Sequence, residues 1–317
     1  MVAADVEVQR RQRLTDTEIR AVQQLVDLST DTDGVRPLSE HVMLHLRYGG
    51  DEPTRNLLVW RGDDLAGYAH LDTTDVVAGA SAELAVAPSY RRQGVARALV
   101  RALIEDAGDG RLRLWSHGVH AGSKALAESM GFKQERALWQ MRRSLFAPVP
   151  APEWPDGVSI RTFRVGEDED AWLEVNNRSF VEHPDQGAWT LRDVQMREQE
   201  PWFDPEGFFL AEKDGRLVGF HWTKVHGAVT HDHDDEPTHQ HEHHHDPIGE
   251  VYVVGVDPSM QGQKLGPALT LRGLQHLRAL GLAQVMLYVD ETNTNAIGVY
   301  ERLGFAKWDV DICFRQQ

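Results

Sequence analysis

The sequence contains almost no cysteine, fewer basic than acidic residues, and no long apolar run. Cys313 is the only cysteine, which excludes an intrachain disulfide and is typical of a reducing cytoplasm. The 33 lysines and arginines are outnumbered by 49 aspartates and glutamates, so the formal net charge is −16. This balance argues against nucleic acid binding, which needs clustered basic side chains, and it suits solubility and a cationic substrate.

The chain also lacks any pattern for export or membrane insertion. No segment approaches the roughly 18 consecutive apolar residues of a membrane-spanning helix. The first 13 residues are mainly polar and charged, so no signal peptide is visible. We therefore expect a cytoplasmic protein that acts on a small molecule as a monomer, without a membrane or a nucleic acid partner.

An internal repeat divides the 317 residues, which are enough for two domains of about 150 residues each. Segments 83–96 and 253–266 each contain an apolar run, a proline before a turn, and the start of a helical pattern. Each is followed by a buried-strand pattern, a short helix and a Gly-Phe pair, Gly131-Phe132 or Gly304-Phe305. Each is preceded by a hairpin pattern with a polar, glycine-bearing turn.

The repeat also predicts the domain boundaries. A proline-rich stretch at 147–156 is typical of an extended linker. We predict an N-terminal domain at 1–146 and a C-terminal domain at 157–317. Each is predicted to be an α/β domain, with a mixed, mostly antiparallel sheet flanked by helices.

A six-residue loop joins a strand to a helix in each half. It reads RRQGVA at 91–96 and QGQKLG at 261–266. Backbone N–H groups at a helix start bind pyrophosphate, and glycine lets the backbone approach it. The pattern resembles the acetyl-CoA signature of the GCN5-related N-acetyltransferase (GNAT) family, which implies two tandem GNAT domains and acetyl-CoA as co-substrate. Lys264 departs from the signature, because glycine is usual there, and this leaves its effect on CoA binding open.

The same resemblance implies which residues contact CoA. In the N-terminal half they are Leu84, Ala85, Val86, Arg92, Gln93, Gly94, Val95, Ala96 and Arg97. In the C-terminal half they are Val254, Gly255, Val256, Gln261, Gly262, Gln263, Lys264, Leu265, Gly266, Pro267, Asn293, Thr294, Asn295, Ala296, Ile297 and Gly298.

A narrower resemblance, to the mycothiol synthase family, spans nearly the whole chain. The segments that carry it are HPDQG at 183–187, HWTKV at 221–225, GEVYV at 249–253 and LYV at 287–289. It implies acetyl transfer from acetyl-CoA to the cysteinyl amine of 1D-myo-inositol 2-(L-cysteinylamino)-2-deoxy-glucopyranoside, giving mycothiol and CoA. It also implies substrate contacts from Glu40, Asp185, Lys224, Glu250 and Tyr288.

Two residues of the C-terminal half are expected to carry the chemistry. An α-ammonium with a pKa of about 8 must lose a proton before it attacks a thioester, so a carboxylate is a suitable base. Glu250 precedes the second loop, and strand alternation predicts that it shares a face with Tyr252, Val254 and Val256. By resemblance, Glu250 faces the acceptor amine and Tyr300 protonates the CoA sulfur.

The N-terminal half lacks both groups at the matching positions. Ala80 stands where Glu250 does, and Ala127 stands where Tyr300 does. Glu83 follows three residues after Ala80, so alternation predicts that it points to the opposite face. We therefore predict that the C-terminal half is the catalytic one, and that the N-terminal half can hold acetyl-CoA without turning it over.

A histidine-rich segment at 231–246 interrupts the second half between two strand patterns. Its histidines are His231, His233, His239, His241, His243, His244 and His245. Imidazole clusters bind zinc, nickel or copper, but this spacing lacks the order of a closed zinc site. The segment is interpreted as an enlarged hairpin loop with adventitious metal affinity, or as a regulatory or storage metal site. No obligatory metal is predicted.

Two other functions stay open at this point. One is acetyl transfer to a different amine, such as an aminoglycoside or a peptide N-terminus. The other is a non-catalytic sensor of acetyl-CoA or metal, suggested by Lys264 and by the missing groups of the N-terminal half. Glu250 and Tyr300 argue against the sensor, because a sensor needs neither a base nor an acid.

Overall fold

A computed structural model describes residues 6–49, 54–75, 78–108, 110–118, 120–181, 189–227 and 247–317. The chain forms two compact units. The first comprises Met1–Trp139 and Asp309–Gln317, and the second comprises Gln140–Trp308. Both units combine strands and helices, so the predicted α/β class is confirmed.

The first unit follows the predicted order of helices, hairpin, strand, helix, strand, helix and strand. Its elements are β1 (Gln9–Arg11), α1 (Asp16–Asp33), α2 (Glu40–Tyr48), β2 (Arg55–Arg61), β3 (Asp64–Asp72), β4 (Ser81–Val86), α3 (Val95–Ala107), β5 (Arg113–Ser116), α4 (Ala121–Ser129) and β6 (Phe132–Ser144), of which residues 132–139 belong to this unit. Local signals start and stop these elements. For example, Thr15 and Glu18 form a capping box on α1, and Gly34 ends it in a left-handed conformation.

The second unit repeats this order. Its elements are β7 (Val158–Thr162), α5 (Glu169–Ser179), α6 (Leu191–Glu198), β8 (Phe208–Lys213), β9 (Arg216–His226), β10 (Ile248–Val256), α7 (Leu265–Ala279), β11 (Gln284–Asp290), α8 (Thr294–Arg302) and the start of β12 (Ala306–Gln316). Its strands lie in the order β11-β10-β9-β8-β7. Neighbouring pairs are antiparallel except β10 with β11, which is parallel.

Most of β12 belongs to the first unit, where the strand order is β1-β2-β3-β4-β5-β12. Residues Ile312 to Arg315 of β12 pair antiparallel with Ser116 to Arg113 of β5. The two compact units therefore differ from the predicted boundaries, which left the last strand in the C-terminal domain. The predicted linker at 147–156 lies within the second unit. The reason is a strand pairing between distant parts of the chain, which local sequence patterns do not encode.

Each unit buries apolar side chains on both faces of its sheet. In the first, Tyr68 packs with α1 and α2, whereas Leu99 of α3 lies in the cluster on the other face. In the second, Trp222 packs with α5 and α6, and Leu269 of α7 lies in the opposite cluster. These faces are called the α1/α2 face and the α5/α6 face below. The layering leaves each sheet buried between helices, as expected of an α/β domain.

The central parallel strands of each unit pair over a short length only. β4 and β5 pair at Ser81 with Arg113 and at Ala82 with Leu114. β10 and β11 pair at Gly249 with Val285 and at Glu250 with Met286. Beyond these positions the strands continue without pairing to each other, so each sheet has an opening at its centre.

Candidate functional site

A β-bulge in β10 decides which face Glu250 occupies. Glu250 lies opposite Lys224 of β9, and Val251 lies opposite Thr223, but the next partner of β9, Trp222, lies opposite Val253. Tyr252 is therefore an extra residue, and an extra residue reverses the alternation of all that follow. Glu250 and Val253 consequently share the α5/α6 face with Lys224 and Trp222.

The bulge corrects part of the alternation argument. Tyr252 does share the face of Glu250, because its ring contacts that of Trp222 at a centroid distance of 5.4 Å. The expectation was wrong for Val254 and Val256, which lie opposite His221 and Gly219, on the other face of the sheet. A regular strand would have placed Glu250 with them, so the bulge turns its carboxylate toward α5 and α6.

Glu250 is a buried carboxylate with a histidine and a lysine beside it. Its side chain is 9% exposed, and its Oε2 lies 2.6 Å from Nε2 of His226. Lys224, the cross-strand neighbour of Glu250, is also buried, and its ammonium lies 4.4 Å from the centre of the Trp202 ring and 5.2 Å from that of Tyr252. Cation–π contacts of this kind stabilise a desolvated ammonium. The site therefore places the buried side chain of Glu250 next to a buried lysine whose amino group lies on an aromatic surface.

Arg197 of α6 holds the bulge residue in place. Its Nε donates a hydrogen bond of 2.6 Å to the hydroxyl of Tyr252, and its guanidinium lies 3.9 Å from the centre of the Trp189 ring. The rings of Trp202 and Tyr252 meet edge to face at 5.2 Å. The bulge is thus tied to α6 and to the aromatic cluster, which fixes the direction in which Glu250 points.

Tyr300 and Tyr288 come from the neighbouring part of the second unit. Burial raises the pKa of Tyr300 to about 12, so its hydroxyl keeps its proton at neutral pH. Its ring packs against Phe305 at 5.8 Å. Tyr288 is 41% exposed on β11, two residues beyond Met286, the partner of Glu250, and its hydroxyl accepts a hydrogen bond of 2.8 Å from Gln140.

The two loops at 91–96 and 261–266 use glycine at different positions. Each loop has left-handed backbone at its second and fourth residues. In the first, these are Arg92 (φ 63°) and Gly94 (φ 88°); in the second, they are Gly262 (φ 77°) and Lys264 (φ 64°). Lys264 therefore adopts the conformation that the usual glycine would supply. Its departure from the signature leaves the loop shape intact, and α7 begins at the next residue.

The opening of the first unit is a cavity of about 750 Å³. Eight of the nine residues predicted to contact CoA in this half line it: Leu84, Ala85, Val86, Arg92, Gly94, Val95, Ala96 and Arg97. Ala127, the counterpart of Tyr300, also lines it. The loop is anchored by Arg91, whose guanidinium makes two hydrogen bonds to Asp33, of 2.6 and 2.8 Å.

In the first unit, the carboxylate of Glu83 belongs to a cluster of charged side chains. Glu83 Oε2 lies 3.3 Å from His117 Nε2, and His117 Nδ1 lies 2.8 Å from Asp311 Oδ2. Burial opposes charge at both groups, yet the mutual attraction lowers the pKa of Glu83 to about 2 and, with Asp311, raises that of His117 to about 10. Glu83 also accepts a hydrogen bond from the backbone N–H of Ser39. This carboxylate is therefore engaged in an ion cluster.

Glu83 points away from Ala80, as alternation predicted, because Ala80 lies in the cluster that packs against α3. β4 pairs with β3 without a bulge, and Glu83 lies opposite His70 on the α1/α2 face. Gly219 of β9 and Gly67 of β3 are matching positions, because they pair with Val256 and Val86 at the ends of β10 and β4. Trp222 and His70 each follow that glycine by three residues (222 − 219 = 70 − 67 = 3), so they are equivalent. By the same register, the counterpart of Glu250 is Ser81 rather than Ala80. The first unit thus has no carboxylate where Glu250 lies.

Comparison with known proteins agrees with this architecture. Residues 22–132 and 170–305 match the Acetyltransferase (GNAT) family. Mycothiol acetyltransferase of Streptosporangium roseum is 54% identical, with 98% of this chain and 99% of the relative covered. That of Acidothermus cellulolyticus is also 54% identical, covering 100% of this chain and 96% of the relative.

This chain belongs to the mycothiol acetyltransferase family. Its members are GNAT acyltransferases, and both resemblances seen in the sequence are confirmed. Among solved structures, a GCN5-related N-acetyltransferase from Sphaerobacter thermophilus has a TM-score of 0.65 and 25% identity, over 97% of this chain and 95% of the other. A tandem GNAT protein from the clavulanic acid biosynthesis pathway has a TM-score of 0.71 at 20% identity, over 98% of both chains, and shares the fold.

The residues predicted to contact the substrate lie in different parts of this acetyltransferase. Glu40 begins α2 in the first unit, whereas Lys224, Glu250 and Tyr288 lie in the second. Asp185 and the histidine-rich segment lie outside the described residues. Within the described ranges, no group of three or more histidine, cysteine or acidic side chains is arranged to hold a metal ion. No helix in the described part of the chain is both long and apolar enough to cross a membrane.

Sequence reasoning missed three residues of the site: His226, Arg197 and Trp202. His226 could have been found, because it lies two residues beyond Lys224 on the same strand and therefore on the same face. Arg197 and Trp202 could not, because they contact Tyr252 only after the segment around α6 has folded onto the sheet.

Proposed function

We propose that the second unit transfers the acetyl group of acetyl-CoA to the cysteinyl amine of 1D-myo-inositol 2-(L-cysteinylamino)-2-deoxy-glucopyranoside, giving mycothiol and CoA. The names of full-length relatives at 47–54% identity support this reaction. The structural observation that most supports this reaction is the buried carboxylate of Glu250. The bulge in β10 turns it toward the α5/α6 face, beside the opening where β10 and β11 cease to pair. A carboxylate there suits a cationic acceptor.

Glu250 accepts a proton from the acceptor ammonium, directly or through one water molecule. The neutral amine then attacks the carbonyl carbon of the thioester. The nitrogen of the resulting tetrahedral adduct loses its second proton to solvent. As the adduct collapses, the carbon–sulfur bond breaks and its electron pair stays on the sulfur of CoA. Tyr300, protonated at neutral pH, donates its hydroxyl hydrogen to that departing thiolate. The acid and the base are thus different groups.

The loop at 261–266 holds the pyrophosphate of CoA in the second unit. Gly262 and Lys264 of this loop have left-handed backbone, which is typical of loops whose N–H groups bind anions, and α7 adds the positive end of its dipole. Residues 254–256 and 293–298 extend the contact along β10 and into α8. Acetyl-CoA is the co-substrate, and no metal is required for this chemistry.

The acceptor contacts Lys224, Glu250 and Tyr288 on the second unit. A cysteinyl amino sugar carries one ammonium and many hydroxyl groups, so a carboxylate, an ammonium and a phenol are suitable partners. By the family resemblance, Asp185 belongs with these residues, and Glu40 of the first unit contacts the same class of ligand. The protein acts as a cytoplasmic monomer on this small molecule.

The first unit binds acetyl-CoA in its cavity without transferring the acetyl group. Its loop at 91–96 and residues 84–86 line that cavity, which supports cofactor binding. Ser81 replaces Glu250 in the sheet register and Ala127 replaces Tyr300, which supports the loss of turnover. Glu83 does not substitute as a base, because His117 and Ser39 already hold its carboxylate.

An acceptor survey with purified protein tests this function. CoA release is measured with acetyl-CoA and the cysteinyl amino sugar, an aminoglycoside, or a peptide amine, on the wild type and the variants Glu250→Gln and Tyr300→Phe. We expect turnover of the cysteinyl amino sugar, lowered at least about tenfold in each variant. Glu212→Gln is the control, because Glu212 of β8 pairs with Arg161 of β7, the two strands furthest from β11 in this sheet.

The outcomes separate the substrate from the mechanism. If the cysteinyl amino sugar is not acetylated but another amine is, the proposed substrate is wrong. If no amine is acetylated, the protein is a sensor. If both variants match the wild type, the acid and the base lie elsewhere.

A further inference from the structure

The hydrogen bond between His226 and Glu250 is a feature that the proposed reaction does not yet use. His226 ends β9, and its Nε2 lies 2.6 Å from Oε2 of Glu250. The carboxylate is buried, whereas 36% of the histidine side chain is exposed. A charge-assisted hydrogen bond of this length is among the strong ones in proteins. It ties a carboxylate inside the site to a side chain at its rim.

Strand register explains why the two side chains meet. Glu250 lies opposite Lys224, and His226 lies two residues further along β9 on the same face. Glu250 is therefore flanked by two possible cationic partners. The ammonium of Lys224 lies over the rings of Trp202 and Tyr252, whereas the imidazole of His226 reaches the carboxylate itself.

The first unit lacks both members of the pair at matching positions. Asp72 corresponds to Lys224, because each lies five residues beyond a paired glycine (72 − 67 = 224 − 219 = 5). Two residues further, Thr74 stands where His226 does, and Ser81 stands where Glu250 does. The histidine is thus present in the unit that has the carboxylate and absent from the unit that lacks it.

We infer that His226 is a positioning residue for Glu250, and this inference rests on the proposed function. The imidazole donates its Nε2–H to Oε2 and fixes the rotation of the carboxylate about its last side-chain bond. The acceptor ammonium then meets an oriented carboxylate, which takes one proton from nitrogen while the nitrogen keeps its electron pair for attack. A freely rotating carboxylate would spend less time in line with that proton, and misplacement by about 1 Å can cost about a hundredfold in rate.

Two substitutions of His226 separate this role from a purely structural one. The amide of His226→Gln can donate a hydrogen bond to Glu250, whereas His226→Ala cannot. With any amine that the wild type acetylates, we expect His226→Ala to lower kcat about tenfold with little change in the KM for acetyl-CoA. We expect His226→Gln to retain kcat within about threefold, because hydrogen-bond donation is restored.

Combination with Glu250→Ala shows whether His226 acts through Glu250. Two residues that act as a unit have non-additive effects. The double variant is therefore expected to match Glu250→Ala within about twofold. His41→Ala is the matched control and should leave kcat unchanged, since His41 forms a similar pair with Asp72 (Nε2 to Oδ2, 3.2 Å) in the first unit.

The results that overturn the inference differ from those that overturn the proposed function. If Glu250→Ala lowers kcat but His226→Ala does not, Glu250 is the base and His226 does not position it. If His226→Gln is as slow as His226→Ala, or if the double variant is slower than Glu250→Ala by the full tenfold, His226 does not act by orienting Glu250. If Glu250→Ala itself is as active as the wild type, the proposed base is wrong and the inference falls with it.

Discussion

Replacing His117 by alanine removes the cation that Glu83 and Asp311 share in the first unit. Two largely buried carboxylates are then left without their common partner. Breaking a buried ion pair by removing one member costs about 3–5 kcal/mol, against a total of about 5–15 kcal/mol for a typical domain. We therefore expect His117→Ala to lower the free energy of unfolding of the first unit by about 3–5 kcal/mol.

The pH dependence of this loss has a defined sign. The pKa of His117 is raised from 6.5 to about 10, so its contribution is fully present below pH 6.5 and is lost as pH rises through about 10. The pKa of Glu83 is lowered from 4.5 to about 2, so its contribution is present above pH 4.5 and is lost as pH falls through about 2. The difference between wild type and variant should be largest between about pH 4.5 and 6.5.

Urea unfolding at several pH values, followed by tryptophan fluorescence, measures the loss, and hydrogen exchange assigns it to peptides of the first unit. His41→Ala is the control, because the His41 side chain is 49% exposed and its pair with Asp72 should contribute about 0–1 kcal/mol. Equal losses in the two variants, or a His117→Ala loss that is the same at pH 6 and pH 10, would refute the reasoning.

Two further predictions concern backbone positions. Gly273→Ala should destabilise the second unit by about 1–3 kcal/mol, because the added Cβ would lie 2.0 Å from the buried His221 ring. Gly122→Ala is the control and should stabilise α4 by about 0.5–1 kcal/mol, because nothing lies within 4 Å of its added Cβ. Thermal unfolding of both variants tests this, and a stabilising Gly273→Ala would contradict it. Lys264→Gly should stabilise the second unit by about 0.5–1 kcal/mol, because relief of the left-handed conformation at φ 64° outweighs the chain entropy that glycine adds to the unfolded state. Urea unfolding measures this change, and destabilisation would show that the lysine side chain makes a needed contact.

The repeat, the two loops between strand and helix, and the hairpins could be predicted from the sequence because each has a local signal. Gly94 and Gly262 stand at left-handed positions of their loops, and a strand and a helix pattern surround each. The fold class and the family follow from such local features occurring twice in the same order. These features also identified the segment of the chain in which Glu250 would lie.

The face of Glu250 could not be predicted correctly from the strand alone. Alternation wrongly places Glu250 on the same face as Val254, because Tyr252 is an extra residue between them. Such an extra residue is visible only when the pairing of β10 with β9 is known. Setting β4 against β3 likewise shows that Ser81, rather than Ala80, matches Glu250, because β4 has no bulge. The pair of His117 with Asp311 was missed for a related reason, since these residues are 194 positions apart in the sequence.

The pairing of β12 with β5 determines when the first unit can complete its sheet. Residues Asp309–Gln317 belong to the first unit, and Asp311 is a partner of its buried His117. These residues are synthesised after the whole of the second unit, so the first unit stays one strand short until they too have been made. Cutting the gene at the proline-rich stretch would accordingly yield an N-terminal fragment with an open sheet edge beside β5, a poor candidate for separate expression.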